Sequence, residues 1–217
     1  MQNKKIIIFD MDGTLLDSSA SITKSINHVR ETLGLPSFSI EKIVNLINEP
    51  GLNLPQLFYE NKKPYRECKS IFEKHYYKNC IIDMNIYDGI KDLLGYLKEK
   101  YLLCIVTNAY SLYCEKMLKH LDIYQYFTII LGADDVNRAK PDPFMINSII
   151  KKLNIQKKYA VMIGDSIKDE QAAQNANIRY IYVDWGFGEC INPDIIFSKD
   201  DLLDIKKIEK LISNLID

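Results

Sequence analysis

No stretch of this chain approaches the roughly 20 consecutive apolar residues of a membrane-spanning helix. A field of one sign is missing too. Lys and Arg number 28 against 29 Asp and Glu, a formal charge of -1. That balance offers no general attraction to nucleic acid or anionic lipid, so neither is expected as a partner. The lysines fall in short pairs between apolar residues (Lys62-Lys63, Lys151-Lys152, Lys157-Lys158, Lys206-Lys207), the pattern of solvated helix faces. Cys68, Cys80, Cys104, Cys114 and Cys190 are odd in number, and no two are spaced as in a zinc knuckle or redox pair. Such usage predicts a reducing compartment. The opening MQNKKIIIFD reaches Asp10 after four apolar residues, too few for a signal-peptide core. A soluble cytoplasmic protein is the expectation. Internal repeats and low-complexity segments are absent.

What is present is an ordinary globular mixture, 47% hydrophobic and 26% charged over 217 residues. A chain of this mass buries roughly 70% of its surface on folding, enough for a core without staples. Short β-branched or aliphatic runs occur at Lys5–Phe9, Leu102–Val106, Thr128–Leu131, Ala160–Ile163 and Arg179–Val183, with a weaker one at Ile195–Phe197. Runs like these are expected of parallel strands buried on both faces. Helices are predicted between them over Gly89–Glu99, Ser111–Lys119, Pro143–Leu153, Asp169–Ala176 and Leu202–Leu215. Alternation of this kind predicts an α/β fold, with a doubly wound, mostly parallel Rossmann-like sheet.

Residues 18–87 break the rhythm. Ile22, Ile26, Val29 and Leu33 lie at helical spacing within Ser18–Leu33, and Ile40–Ile47 and Tyr65–Tyr77 read as further helices, with no good strand. The expected organisation is an α/β core of residues 1–17 and 88–217 carrying an inserted helical cap of residues 18–87. Leu52, Leu54, Leu57 and Phe58 suit either the cap's own core or an interface, so monomer and homodimer both stay open.

Four polar signals follow predicted strands. In Asp10-Met11-Asp12-Gly13-Thr14, residues two apart on an extended segment face one way, which brings Asp10 and Asp12 into one crevice. Two carboxylates so close call for a hard cation or a retained proton, unless the turn merely caps a helix. Thr107-Asn108 can offer a hydroxyl and backbone N–H groups to phosphate oxygens, or can simply cap the next helix. Lys140, before Pro141, has a restricted backbone from which its ammonium can be aimed inward. Gly164-Asp165-Ser166 with Asp169 adds carboxylates at a neighbouring strand end. Together they make an oxygen-rich site suited to Mg²⁺, with a purely structural ion as the second reading.

The segments IIIFDMDGTLLDS, IVTN, AKPDP and VMIGDSIKD strongly resemble, in order and spacing, the haloacid dehalogenase-like hydrolase superfamily. GADDVNRAKPDP, AAQNANI and VDWGFG resemble its branch of phosphoglycolate phosphatases and related pyrophosphatases, and the helical insert resembles the family's first type of cap. The resemblance implies that Asp10 is the nucleophile that becomes an aspartyl phosphate. It makes Asp12 the general acid, whose backbone carbonyl also reaches Mg²⁺, and makes Asp10 and Asp165 the side-chain metal ligands. Asp169 is implied as a supporting acid, and Thr107, the Asn108 amide and Lys140 as the phosphate clamp. The implied activity is Mg²⁺-dependent hydrolysis of a small phosphorylated metabolite, phosphoglycolate first. Pyrophosphatase, nucleotidase and β-phosphoglucomutase-like sugar phosphomutase are the alternatives, and a non-catalytic binding protein the remote one. The family's dehalogenases usually lack the second aspartate and its phosphonate-cleaving members carry alanine there, so Asp12 favours phosphate ester or anhydride chemistry. Arg30, Arg66, Lys62 and Lys63 are cap cations that either meet a second anionic group or are simply exposed.

Overall fold

The computed structural model describes residues 4–216. Among these, β1 (Ile6–Phe9), β2 (Leu16–Asp17), β3 (Asn85–Ile86), β4 (Leu102–Val106), β5 (Phe127–Leu131), β6 (Ala160–Gly164), β7 (Arg179–Val183) and β8 (Ile195–Phe197) are the strands. Six of them form a parallel sheet in the order β5-β4-β1-β6-β7-β8. From β1 the chain order runs outward in both directions, which makes the ends of β1 and its neighbours the topological switch point where open α/β sheets bind ligands.

Alternation along β1 explains the two helical layers. Ile7 and Phe9 face α5 (Ile90–Leu97), α6 (Ser111–His120) and α9 (Ile205–Leu215) through a core that includes Leu94, Met117 and Ile212. Ile6 and Ile8 face α7 (Phe144–Leu153) and α8 (Ile167–Ala176) through Ile146, Ile149, Ala172 and Ala176. All four β1 side chains are at most 1% exposed, and full burial of such a side chain contributes about 1.5–3 kcal/mol. Small alanines along α8 let that helix approach the sheet closely.

The segment between β2 and β3 holds α1 (Ser19–Thr32), α2 (Ile40–Asn48), α3 (Leu54–Tyr59) and α4 (Tyr65–Asn79). They share a separate apolar cluster of Ile26, Val29, Ile43, Phe58, Tyr59 and Cys68. The expectation of no strand in this region is corrected at its end. Asn85–Ile86 pairs antiparallel with Leu16–Asp17, so the chain leaves for the helices and returns from them through a two-stranded ribbon. Helix α3 was not anticipated either; Asn53 starts it by accepting from the Gln56 N–H at 3.3 Å.

Arg30 lies fully buried in this helical unit, donating through Nε to the Pro36 carbonyl at 2.7 Å and through its guanidinium to the Phe58 carbonyl. It ties α1 to the α3 end of the unit and already meets the Glu60 carboxylate at 3.5 Å, so it is not free for a substrate anion. Phe58 is core, whereas Leu52 and Leu57 are each 39% exposed. The last predicted helix, Leu202–Leu215, divides into a 3₁₀ turn at Lys199–Leu203 and α9. Asp204 causes the break, because its side chain accepts from the Lys207 N–H at 3.0 Å and starts a new helix. No helix of the described residues is long and apolar enough to cross a membrane.

Candidate active site

Asp10 directly follows β1, Thr107 follows β4, and Asp165 follows β6, so three neighbouring strands deliver three polar residues to one end of the sheet. Asp169 reaches the same place from the first turn of α8. There its Oδ2 accepts from the Ser166 N–H at 3.1 Å and from the Ser166 hydroxyl at 2.6 Å, a reciprocal cap that holds its carboxylate still. The loop before α7 brings in Lys140. Its Nζ lies 2.6 Å from Asp10 Oδ1 and 2.6 Å from Asp169 Oδ1, with the lysine side chain only 3% exposed.

The other predicted residues converge as well. Asp12 accepts from the Ser18 hydroxyl. The Thr107 hydroxyl accepts from the Ala109 N–H at 3.1 Å, and Thr107 is buried. The Asn108 side chain has a use that the sequence reading did not assign. It donates to the Lys140 carbonyl at 2.9 Å and accepts from the Lys140 N–H at 3.0 Å, clamping the lysine's backbone from both sides. Asp165 Oδ1 accepts from Thr14 at 3.1 Å, and its Oδ2 accepts from the Phe187 N–H at 2.7 Å.

That last contact places the Asp184–Gly188 segment in the site, where the sequence offered only the phrase VDWGFG. Trp185 straps it to the first motif by donating to the Thr14 carbonyl at 3.1 Å. Two glycines make room for Asp165. A Cβ on Gly13, whose φ is +83°, would lie 2.2 Å from Asp165 Oδ2, and one on Gly186 would lie 2.2 Å from its Cβ. Lys168 was also missed. From α8 it donates to the Ile47 carbonyl at 2.6 Å, joining the sheet domain to the end of α2.

Carboxylate oxygens of Asp10, Asp165 and Asp169 can all lie within 4.8 Å of one another, and all three residues are buried. Burial raises Asp10 well above the usual carboxylate range; the charge of Asp169 adds to this and Lys140 opposes it. Burial and the charge of Asp169 push Asp165 up to about 7. Asp12 is raised by burial, against the lowering effect of the Ser18 hydroxyl and Lys140. For Lys140 burial disfavours the charge, but Asp10 and Asp169 outweigh it and the ammonium holds its proton more tightly than usual. Three buried carboxylates around one ammonium leave an excess of negative charge. An all-oxygen donor set with that deficit fits a hard divalent cation such as Mg²⁺.

Asp10, Asp12, Thr107, Asn108 and Lys140 line the floor of a cavity of about 430 Å³ whose upper walls come mostly from α1 to α4, with Tyr110 and Tyr113 at the start of α6. Of the cap cations considered from sequence, neither Arg30, Arg66, Lys62 nor Lys63 lines it. A sequence profile described as haloacid dehalogenase-like hydrolase matches residues 7–183. The chain belongs to that family. This hydrolase is 29% identical to a phosphoglycolate phosphatase of Colwellia psychrerythraea, over 88% of its own length and 90% of that protein's. It is 30% identical to one from Psychrobacter arcticus, covering 85% of each. A predicted phosphoglycolate phosphatase from Haemophilus somnus superposes with a TM-score of 0.84 at 26% identity, over 95% of this hydrolase and 99% of that chain.

The site has a pH signature that can be read without substrate. In metal-free protein Asp165 binds a proton more tightly when folded, at about 7, than at its ordinary value of 3.8. Stability from that proton is fully present below 3.8 and is lost as pH rises through about 7. In chelator, denaturant titrations should show wild type losing ground to Asp165→Asn across this interval. A stability difference that does not change with pH there would show that Asp165 is not proton-linked to folding.

Proposed function

We propose that the chain is a Mg²⁺-dependent phosphatase of small phosphomonoesters that works through an aspartyl phosphate on Asp10. The observation that carries this reading is the Lys140 ammonium, 2.6 Å from both Asp10 and Asp169 at the floor of a cavity. It sets a nucleophile-grade carboxylate beside the positive charge that an incoming phosphate requires. The names of the relatives make phosphoglycolate the reference substrate, with pyrophosphate and nucleoside monophosphates behind it.

In this reading Asp10 attacks phosphorus through a carboxylate oxygen, and the bond from phosphorus to the ester oxygen breaks. Asp12 gives its proton to that oxygen, so the alcohol leaves neutral. The raised pKa of buried Asp12 suits it to carry the proton to this step. Asp12, now ionised, takes a proton from water, which attacks the phosphoryl group and releases phosphate with Asp10 restored. The Thr107 hydroxyl, the Asn108 backbone N–H and the Lys140 ammonium hold the phosphoryl oxygens, and Asn108 also positions Lys140 through its side chain. Asp10, Asp165 and the Asp12 carbonyl, with Asp169 in support, would hold Mg²⁺, which would supply the charge that lets two anions meet. The helices of residues 18–87 act as a cap that excludes water, hinged at the ribbon of Leu16–Asp17 and Asn85–Ile86.

Phosphate release from phosphomonoesters should stop in chelator and return with Mg²⁺. Asp10→Asn should lower it at least about a thousandfold with the fold intact. Turnover by Asp10→Asn equal to wild type would remove the mechanism.

For Asp12→Asn the expected loss in kcat is about 10²–10⁴-fold. The wild-type kcat should fall as pH rises through the elevated pKa of Asp12, and this alkaline limb should vanish in the variant. An unchanged pH profile would assign the acid elsewhere.

A further inference from the structure

The cavity above Asp10 is walled mainly by apolar and aromatic side chains. Phe72 and Tyr76 of α4 stack at 5.2 Å between centroids, and Tyr110 and Tyr113 at the start of α6 lie with their rings parallel within 6°. Tyr76 meets Tyr113 edge-on at 4.9 Å and both are buried, so the rings pack into one aromatic wall whose more exposed members are Phe72 and Tyr110. Ile22 and Phe58 extend it on the cap side. At about 430 Å³ the space falls within the usual range of pockets that enclose a drug-sized molecule, well beyond a two-carbon glycolate.

Three lysines reach the wall. Lys140 lies between Asp10 and Asp169 and Lys69 pairs with Glu73 at 3.7 Å, whereas Lys168 donates to the neutral Ile47 carbonyl. One polar atom does want a partner. Asn48, at the end of α2, lines the cavity, and its Nδ2 is buried without a hydrogen-bond partner. A buried donor of this kind is satisfied by an acceptor on whatever fills the space.

Resting on the phosphatase reading above, we propose that the preferred substrate is the phosphate monoester of a bulky aromatic alcohol. Its leaving group carries a hydrogen-bond acceptor for Asn48. Phosphoglycolate then becomes a comparison compound for this chain. The aromatic ring lies against the Phe72–Tyr76 and Tyr110–Tyr113 surfaces while the phosphate sits at Asp10.

The test compares kcat/KM, with Mg²⁺ present, for phosphoglycolate, naphthylmethyl phosphate and the isomeric quinolinylmethyl phosphates. Arylmethyl esters are chosen because their alcohols are not the activated leaving groups that phenols are. Naphthylmethyl phosphate should exceed phosphoglycolate by tenfold or more, mainly through a lower KM. At least one quinoline isomer should do better still, and Asn48→Leu should erase its advantage over naphthalene. Val44→Arg, which puts a cation on the cavity wall, should move the ratio back toward phosphoglycolate. Phosphoglycolate equal to or better than the aryl esters in wild type would overturn the proposal and leave the phosphatase reading standing. Phosphate release from no ester, or release undiminished in Asp10→Asn, would defeat the phosphatase reading itself.

Discussion

The site depends on one ammonium held between two buried carboxylates. Lys140 contacts Asp10 and Asp169 at 2.6 Å each, in a place where water cannot screen the charges. Without that cation, Asp10, Asp165 and Asp169 would oppose one another at short range, and each would also bear the cost of leaving water. Much of the surrounding structure serves to keep the lysine in place. Asn108 grips its backbone by a pair of hydrogen bonds, and the Ser166 cap fixes the carboxylate on its far side. The central position of β1 then determines where Asp10 meets them.

Close approach is the second constraint. Gly13, Gly164 and Gly186 all abut the acidic residues so tightly that a Cβ would lie within 2.6 Å of a carboxylate-bearing side chain. Backbone bareness at these three places is how three strand-end segments converge on so small a volume. The sheet supplies the charged floor, whereas the helices between β2 and β3 supply most of the apolar walls. Lys168 and the Tyr76–Tyr113 contact join the two parts across the cavity, independently of the ribbon.

The core and the first site residues were legible because their signals are local. A run such as IIIF cannot be satisfied except by burial on both faces, and a polar residue at the end of such a strand has only one edge to occupy. The strand bounds at Leu102–Val106 and Arg179–Val183 follow directly from that reasoning. The signals that stayed hidden depend on pairing between distant segments. Nothing within Asn85–Ile86 marks it as a strand, since its partner Leu16–Asp17 lies about 70 residues away. Asn108 is legible as a polar residue at a strand end, but its grip on Lys140 depends on a loop 32 residues downstream. The same holds for Phe187, whose N–H reaches Asp165 from a segment with no charged motif of its own. Arg30 was open to reading as an anion receptor because burial of an arginine by carbonyl groups leaves no mark in its own neighbourhood.

The apolar walls and the charged floor act on each other. An aromatic lining that excludes water lowers the local dielectric, and every charge interaction below it becomes stronger. That strengthening works against the apo cluster, which is why burial leads the causes that raise Asp10, Asp12 and Asp165. It works in favour of any state that supplies matching positive charge, which on the proposed reading would be a cation arriving together with a phosphate. The large aromatic surface has the same consequence from the other side. On the proposed reading, a substrate that covers it would remove the remaining water at the moment its phosphate reaches Lys140. Recognition of the alcohol and electrostatic preparation of the phosphoryl group would then be one event, and a small substrate that left the upper cavity wet would obtain only part of it.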